Sequence, residues 1–207
     1  MARVFAYVDG FNLFYGALKG TPFKWLNLDV LCRTMLPGDS VERINYYTAN
    51  VSARPTKPNA PNNQQIYLRA LRTIPTVSIT LGHFLTHSVS MPLSGTGPTK
   101  RVWVDRTEEK GSDVNLGAHL VRDGFLHKFE VAVLVTNDSD LAEPVRIVTR
   151  ELGRPVGILN PHEHHSKALR PLATFVKRIR QTDLIASQFP SELVDAKGRV
   201  IRKPPDW

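Results

Sequence analysis

The chain has 207 residues, of which 42% are hydrophobic, so it can form one α/β domain with a packed core and is not a disordered polymer. Its 27 lysines and arginines against 19 acidic residues give a formal charge of +8, which fits either ordinary solubility charge or attraction to a polyanion. The one cysteine, Cys32, excludes an internal disulfide framework and suits a reducing cytoplasm.

Nothing in the chain predicts a membrane partner or secretion. The N-terminal apolar stretch over 4–8 is too short for a signal peptide, and Asp9 ends it. No segment reaches the roughly 20 apolar residues that a membrane-crossing helix needs. We therefore expect a soluble, cytoplasmic protein.

The predicted elements alternate between strands and helices. In chain order they are a strand over 4–8, helices over 12–18 and 27–36, a strand over 41–49, a loop over 52–63, a helix over 64–73, strands over 77–86 and 100–106, a helix over 113–126, a strand over 131–135, a helix over 141–152, a strand over 155–159, a short helix over 166–172 and a short strand at 175–176. The strands over 77–86 and 100–106 are expected to pair antiparallel across a long, mobile connection with turn residues at 95–98. The alternation predicts an α/β fold with a mostly parallel central sheet.

The domain prediction is one unit over 1–180, followed by a basic, proline-containing extension over 181–207 without a core of its own. The purpose of this extension is open, and a homodimer formed through it is one expectation.

Four carboxylates stand where strand-like runs give way to polar segments: Asp9, Asp113, Asp138 and Asp140. In open α/β sheets the carboxyl ends of the strands are where ligands and catalytic groups gather. Carboxylates that meet there repel one another unless cations neutralise them, and oxygen-only ligands suit Mg²⁺ or Mn²⁺. The pattern predicts a metal site that cleaves phosphodiester bonds.

Each acid also has a purely structural interpretation. Asp9 could begin a turn and cap the first helix, with Asn12 as an alternative cap, and Asp113 stands at an ordinary helix N-terminus. Asp138 and Asp140 follow the strand over 131–135, and one of them would suffice to cap the next helix. The second acid in that turn is surplus, which favours Asp138 as a ligand.

Other chemistries are weaker. Residues 161–165 read Pro-His-Glu-His-His, but this spacing matches no tetrahedral zinc pattern and has no cysteine partners. The chain has no Gly-x-Ser-x-Gly elbow, no Gly-x-x-x-x-Gly-Lys-Ser/Thr loop and no Gly-x-Gly-x-x-Gly fingerprint. These absences argue against a serine hydrolase, a P-loop NTPase and a dinucleotide-binding protein.

Three sequence blocks, over 8–13, 109–114 and 135–141, resemble the signature blocks of NYN domains, a branch of the PIN-like nucleases. The similarity covers roughly residues 3–180, with the blocks in the family's order. It implies a PIN-like three-layer sandwich, with a mostly parallel central sheet flanked by helices, and ribonuclease activity on single-stranded RNA. Asp9, Asp113 and Asp138 match the family's metal-binding acids, while Asn12 and Asp140 match further positions of its site.

The chain departs from this family at His119, where relatives often carry another Asp, and Asp123 lies one turn further along the helix. This difference motivates a second hypothesis, in which the protein is an RNA-binding module with weakened catalytic turnover. A metal-dependent phosphatase or nucleotidase is a third reading. Basic candidates for the nucleic-acid backbone are Arg54, Lys57, Lys100, Arg101 and Lys110, and Trp103 or Phe11 could stack on a base.

Overall fold

The computed structural model describes residues 1–95 and 100–207. Its centre is a seven-stranded sheet in the order β4-β3-β2-β1-β5-β6-β7. All neighbouring strands are parallel except β3 and β4, which pair antiparallel as expected. The strands are β1 (Arg3–Asp9), β2 (Ser40–Ala49), β3 (Val77–Pro92), β4 (Arg101–Lys110), β5 (Val131–Val135), β6 (Val156–Asn160) and β7 (Phe175–Arg178).

Helices cover both faces of this sheet. They are α1 (Gly10–Leu13), α2 (Leu28–Met35), α3 (Ala60–Leu71), α4 (Ser112–Phe125), α5 (Ala142–Arg146) and α6 (Gln181–Ala186), with π-helical turns at Phe14–Leu18 and Ile147–Glu151 and a 3₁₀ turn at Ser139–Leu141. One apolar cluster joins α2, α3 and α6 to the sheet, and a second joins α4 and α5 to the opposite face. The predicted three-layer α/β sandwich is therefore confirmed.

Strand β1 lies at the centre because its side chains are apolar on both faces. Val4, Ala6 and Val8 belong to one apolar cluster, while Tyr7 belongs to the other. Buried parallel strands have this near-continuous apolar character. Asp9 ends the strand and therefore lies at the carboxyl edge of the sheet, next to the ends of β2 and β5.

Three sequence predictions need correction. The short helix over 166–172 is wrong, because this segment forms successive turns with hydrogen bonds such as Leu172 N–H to the Leu169 carbonyl. The predicted loop over 52–63 is too long, since α3 begins at Ala60 with a proline in its first turn, where the missing N–H costs nothing. Strands β3 and β4 are longer than expected, and residues 96–99 of the predicted turn lie outside the described residues.

The segment after residue 180 packs on the main body. Its hairpin consists of β8 (Glu192–Val194) and β9 (Val200–Arg202), and Phe189 and Ile201 are buried in the apolar cluster that contains α2 and α3. The Trp207 ring lies 5.5 Å from that of Tyr67, and the Trp25 indole donates a hydrogen bond to the Pro190 carbonyl at 2.8 Å. The segment thus shares the core of the sheet domain.

Among the described residues, no helix is both long enough and apolar enough to span a lipid bilayer.

Candidate functional site

Asp9 is almost fully buried, with 4% of its surface exposed, although it ends a strand. Its Oδ1 accepts a hydrogen bond from the Asn12 backbone N–H at 2.9 Å, so it caps α1. Its Oδ2 accepts one from the Thr136 hydroxyl at 3.1 Å. Each carboxylate oxygen has more than one lone pair, so the Asp9 side chain can cap α1 and still have lone pairs for a cation.

Only glycine fits at the residue after Asp9, because α1 packs closely on β2 here. A Cβ on Gly10 would lie 2.7 Å from the Tyr46 ring and 2.7 Å from the Tyr47 carbonyl oxygen. Real Cβ atoms do not approach backbone and ring atoms so closely, so any side chain would push α1 away from β2. This close packing holds Asp9 at the edge.

The turn after β5 supplies two more acids. Thr136 Oγ1 accepts a hydrogen bond from the Asp138 N–H at 3.1 Å while it donates to Asp9. Asp138 Oδ1 accepts from the Asp140 N–H at 3.0 Å and caps the 3₁₀ turn. Asp138 is half-buried and Asp140 is exposed, so Asp140 is the outermost carboxylate of the edge.

Asp113 enters the edge from the start of α4. The chain reverses at Gly111, whose φ of 96° lies in the left-handed region that glycine adopts without strain. Glu109 then accepts hydrogen bonds from the Ser112 N–H at 3.2 Å and the Ser112 hydroxyl at 2.6 Å. Because Ser112 is tied to Glu109, Asp113 stands in the first turn of the helix, half-buried.

The electrostatics show that these acids share one neighbourhood. Burial raises the pKa of Asp9 to about 6, and the charges of Asp113 and Asp138 add to this rise. The hydrogen bond from the Asn12 N–H acts in the opposite direction and lowers the pKa. Burial also raises the pKa of Asp113, followed by the charges of Asp138, Glu109 and Asp140. The three segments therefore bring their carboxylates within electrostatic reach of one another.

The raised pKa of Asp9 makes a prediction for stability. The folded state holds the Asp9 proton more tightly than the unfolded chain, so this group favours folding below pH about 4 and loses that contribution as the pH rises to about 6. At 1.36 kcal/mol per pKa unit the loss is at most about 3 kcal/mol. We expect the free energy of unfolding in urea and EDTA to fall across this window in wild type. The Asp9→Asn variant should show a smaller fall, and an equal fall in both would contradict the assignment.

The donor set suits a hard divalent cation, since every candidate ligand atom is a carboxylate oxygen. As the side chains stand, residues 1–95 and 100–207 contain no group of three or more His, Cys, Asp or Glu arranged to hold a metal ion. Mg²⁺ commonly uses one or two carboxylates and takes its other ligands from water and substrate phosphates. The edge fits this partly assembled kind of site, and the sharing of one ion by Asp9, Asp113 and Asp138 stays a prediction.

Polar groups beside the acids hold the Asn12 side chain in place, and their hydrogen bonds were not predicted from the sequence. Its Oδ1 accepts hydrogen bonds from the Asn137 N–H at 2.9 Å and from His162 Nε2 at 3.1 Å. Asn160 in turn fixes the loop of His162 by accepting from the His162 N–H at 2.8 Å. Asn160 ends β6 and Asn137 follows β5, so the rule of polar residues after buried strands could have found both.

The predicted nucleic-acid-binding residues lie in several exposed segments around the acidic edge, which are called the rim here. Arg54 and Lys57 lie in the turn-containing loop after β2, Lys100 and Arg101 at the far end of β4, and Lys110 beside α4, where it pairs with Glu108 at 2.7 Å. All five are exposed.

His119 and Asp123 belong to a different place. His119 Nδ1 lies 3.0 Å from the Tyr47 hydroxyl, and Asp123 accepts a hydrogen bond from the Tyr7 hydroxyl at 3.0 Å. Arg122 and Lys128 pair with Asp123 at 2.7 and 3.2 Å. Neither residue is among the main causes of the raised pKa of Asp9 or Asp113.

Comparison with solved structures shows the same fold in a protein of unknown function from Vibrio parahaemolyticus. The two superpose with a TM-score of 0.59 at 14% identity, over 91% of this chain and 96% of that one. Among curated proteins, the chain is similar to the 6-hydroxy-3-succinoylpyridine 3-monooxygenase HspA of Pseudomonas putida. That alignment is 26% identical over 236 positions and spans 99% of this chain and 75% of the relative.

The family assignment rests on a match over most of the sheet domain. The model of the NYN domain matches residues 3–179, which include all three acidic segments and helices α1 to α5. The chain belongs to the NYN domain family, whose members are generally nuclease-like.

Proposed function

We propose that this protein is a ribonuclease that hydrolyses phosphodiester bonds of single-stranded RNA with the help of Mg²⁺ or Mn²⁺. The observation that supports the proposal is the raised pKa of Asp9 at the carboxyl edge, which burial causes first and to which the charges of Asp113 and Asp138 add. A protein that collects repelling carboxylates at a ligand-binding edge gains from a cation there. The net charge of +8 favours a polyanionic substrate.

In this proposal Asp9, Asp113 and Asp138 hold the cation. When bound, such a cation lowers the pKa of a water molecule and offsets the negative charge of the phosphate. Thr136 fixes the Asp9 carboxylate, and Asn12, held through its Oδ1, can turn its side-chain N–H groups toward a phosphate oxygen. Asp140 is exposed beside these acids and would be free to accept a hydrogen bond from a water molecule at the site. The backbone of the RNA is bound by basic residues of the rim, namely Arg54, Lys57, Lys100, Arg101 and Lys110.

The likeness to HspA supports a second candidate, oxygenation of a hydroxylated pyridine. The alignment covers 99% of this chain, so it includes the acidic edge and the C-terminal hairpin. The monooxygenase activity is that of the relative, and oxygen chemistry of this kind needs an external electron donor such as a reduced nicotinamide.

The deciding experiment offers purified protein a 5′-labelled single-stranded RNA with Mn²⁺, with Mg²⁺ and with EDTA. We expect shorter labelled products with either cation, none with EDTA, and recovery when Mn²⁺ is returned in excess. A parallel reaction contains the hydroxylated pyridine, oxygen and reduced nicotinamide, and we expect no substrate-dependent loss of nicotinamide absorbance.

Several outcomes would overturn the proposal. Cleavage that persists unchanged in EDTA contradicts the metal mechanism. RNA that is bound but left intact favours the binding module with weakened turnover. Release of phosphate from small phosphomonoesters without RNA cleavage favours the phosphatase, and pyridine-dependent oxidation favours the oxygenase.

A further inference from the structure

Strands β3 and β4 extend beyond the sheet as a two-stranded arm, defined here as residues 83–92 and 101–110. Strand β3 pairs with β2 only from Val77 to Gly82, and from His83 to Pro92 it pairs with β4 alone. At about 3.4 Å per residue the arm is roughly 30 Å long. Because β3 runs parallel to β1, the arm projects from the same edge that carries Asp9.

The two faces of the arm differ in chemistry. Residues directly opposite each other in an antiparallel pair point to the same face. The inner face carries Phe84, Thr86, Ser88, Ser90, Pro92, Arg101, Trp103, Asp105, Thr107 and Glu109. The outer face carries most of the apolar side chains of the arm, Leu85, Val89, Met91, Val102 and Val104, together with His83, His87, Arg106, Glu108 and Lys110.

The inner face is the one that leads to the acidic edge. At its base the Phe84 ring lies 5.8 Å from the Phe11 ring, two residues after Asp9, in an edge-to-face arrangement. Opposite Phe84, Glu109 holds Ser112 and contributes to the raised pKa of Asp113. The inner face therefore forms a continuous surface from the tip of the arm to the carboxylates.

The tip of the inner face presents an aromatic ring beside a fixed cation. Trp103 is 75% exposed, whereas Trp25 is fully buried and Trp207 packs against Trp25. Arg101, two residues away on the same face, donates hydrogen bonds to the Ser90 hydroxyl at 3.0 Å and to its carbonyl at 2.6 Å. Ser90 is the residue directly opposite Trp103, so the guanidinium is bound to the cross-strand neighbour of Trp103.

We propose that the inner face of the arm is a track for single-stranded RNA, on which Trp103 stacks with a base and Arg101 contacts a phosphate. This inference rests on the proposed ribonuclease function and names the length of RNA that the site takes. Aromatic platforms flanked by positive charge are the usual means of binding single strands without sequence preference. The inner face offers hydroxyl groups to an RNA backbone, while its two carboxylates are engaged within the protein, Asp105 by the Ser88 hydroxyl and Glu109 by Ser112. The apolar side chains that a protein partner would cover lie on the outer face.

The geometry sets a length requirement. Trp103 lies six residues along β4 from Glu109, which is roughly 20 Å at about 3.4 Å per residue. Stacked nucleotides rise about 3.4 Å each, so about six nucleotides separate a base on Trp103 from the acidic edge. RNA that extends at least this far from the cleaved bond uses the track, and shorter RNA does not.

The test measures binding in EDTA, so that it does not depend on cleavage. Fluorescein-labelled oligouridylates of 4 and 16 nucleotides are titrated with wild type, Trp103→Ala and Trp103→Phe. Val104→Ala is the matched control, since Val104 is the next residue and belongs to the outer face. We expect Trp103→Ala to weaken binding of the 16-mer by about 5- to 100-fold. The 4-mer is too short to reach from Trp103 to the acidic edge, so it should bind wild type more weakly than the 16-mer does. Trp103→Phe should retain most of the affinity, and Val104→Ala all of it.

Tryptophan emission gives an independent readout. RNA should quench the exposed Trp103 in wild type, and this quenching should be absent in Trp103→Ala, because the other two tryptophans are packed together. Equal 16-mer affinity of wild type and Trp103→Ala, an equal loss in Val104→Ala, or a wild type that binds neither RNA overturns the track. A sedimentation change in Trp103→Ala with unchanged RNA affinity also overturns it and points to contact between copies of the chain.

The two proposals fail separately. Length-dependent binding through Trp103 without cleavage removes the ribonuclease and keeps the track. Cation-dependent cleavage that is equal in wild type and Trp103→Ala for the 16-mer removes the track and keeps the ribonuclease.

Discussion

Replacing Asp9 with asparagine is expected to make the protein more stable and nearly inactive. At pH 7 wild type carries an ionised carboxylate that is 4% exposed and stands against the charges of Asp113 and Asp138. Asparagine removes the charge, and its Oδ1 can still accept the hydrogen bond from the Asn12 N–H. From the rise of the pKa to about 6, we expect the free energy of unfolding in EDTA to increase by about 1–3 kcal/mol.

Cleavage should move in the opposite direction. Loss of groups that merely orient a metal ligand typically lowers activity or affinity about 10- to 100-fold, so loss of a ligand should lower kcat/KM for RNA at least about 100-fold. Wild type should also gain thermal stability when Mn²⁺ is added, whereas Asp9→Asn should gain much less, because ligand binding stabilises only the state that binds.

Asp39→Asn provides the matched control. It is the same chemical change in the turn before β2, at the amino-terminal edge of the sheet, where Asp39 accepts a hydrogen bond from the Ala2 N–H. We expect its cleavage rate and its response to Mn²⁺ to equal those of wild type. An Asp9→Asn variant that is both less stable and fully active would show that the carboxylate serves only as a helix cap.

The sequence predicted the sheet well where side chains are buried and poorly where they are not. The strand over 131–135 was placed at its true bounds because its five residues are apolar and it lies in the core. The arm was underestimated because its strands alternate between two faces that are both exposed to solvent, so no buried face marks where they end.

The acidic edge was accessible from the sequence for a related reason. Asp9 and Asp138 follow buried parallel strands, whose carboxyl ends necessarily meet along one edge. The hydrogen bond of His162 to Asn12 was not accessible, since it joins residues 150 positions apart across a loop of irregular conformation. Periodicity reports which face a residue occupies and does not report how such a loop folds back.

The second large effect is expected far from the edge, at the buried Asp123. Only 2% of Asp123 is exposed, and it accepts hydrogen bonds from the Tyr7 hydroxyl and from Arg122 and Lys128. Burial acts to raise the pKa of Asp123, but these hydrogen bonds and the charge of Arg122 outweigh it, so the pKa is lowered. The carboxylate therefore stabilises the fold above pH about 4, and this contribution is lost as the pH falls through the lowered folded pKa.

We expect Asp123→Ala to lower the free energy of unfolding at pH 7 by about 2–3 kcal/mol, because the buried Tyr7 hydroxyl loses its acceptor. The value lies below that of a fully buried ion pair, since the side chains of Arg122 and Lys128 are 52% and 44% exposed and stay hydrated when unpaired. Tyr7→Phe should cost only about 1 kcal/mol, because Asp123 keeps both cations. The double variant should lose less free energy of unfolding than the two single variants lose when their losses are added together. Such non-additivity is expected for residues in direct contact.

Urea unfolding measures these free energies, and RNA cleavage below the unfolding transition separates structure from function. Asp123 pairs with Tyr7 inside the α4 layer and is not among the main causes of the raised pKa of Asp9 or Asp113, so folded Asp123→Ala should cleave RNA at the wild-type rate. Unchanged stability with lost cleavage would instead place Asp123 in the reaction, as a substitute for the Asp that relatives often carry where this chain has His119. Lost stability with intact cleavage would mean that the half of α4 carrying His119 and Asp123 holds the layers together, while its first turn carries the chemistry.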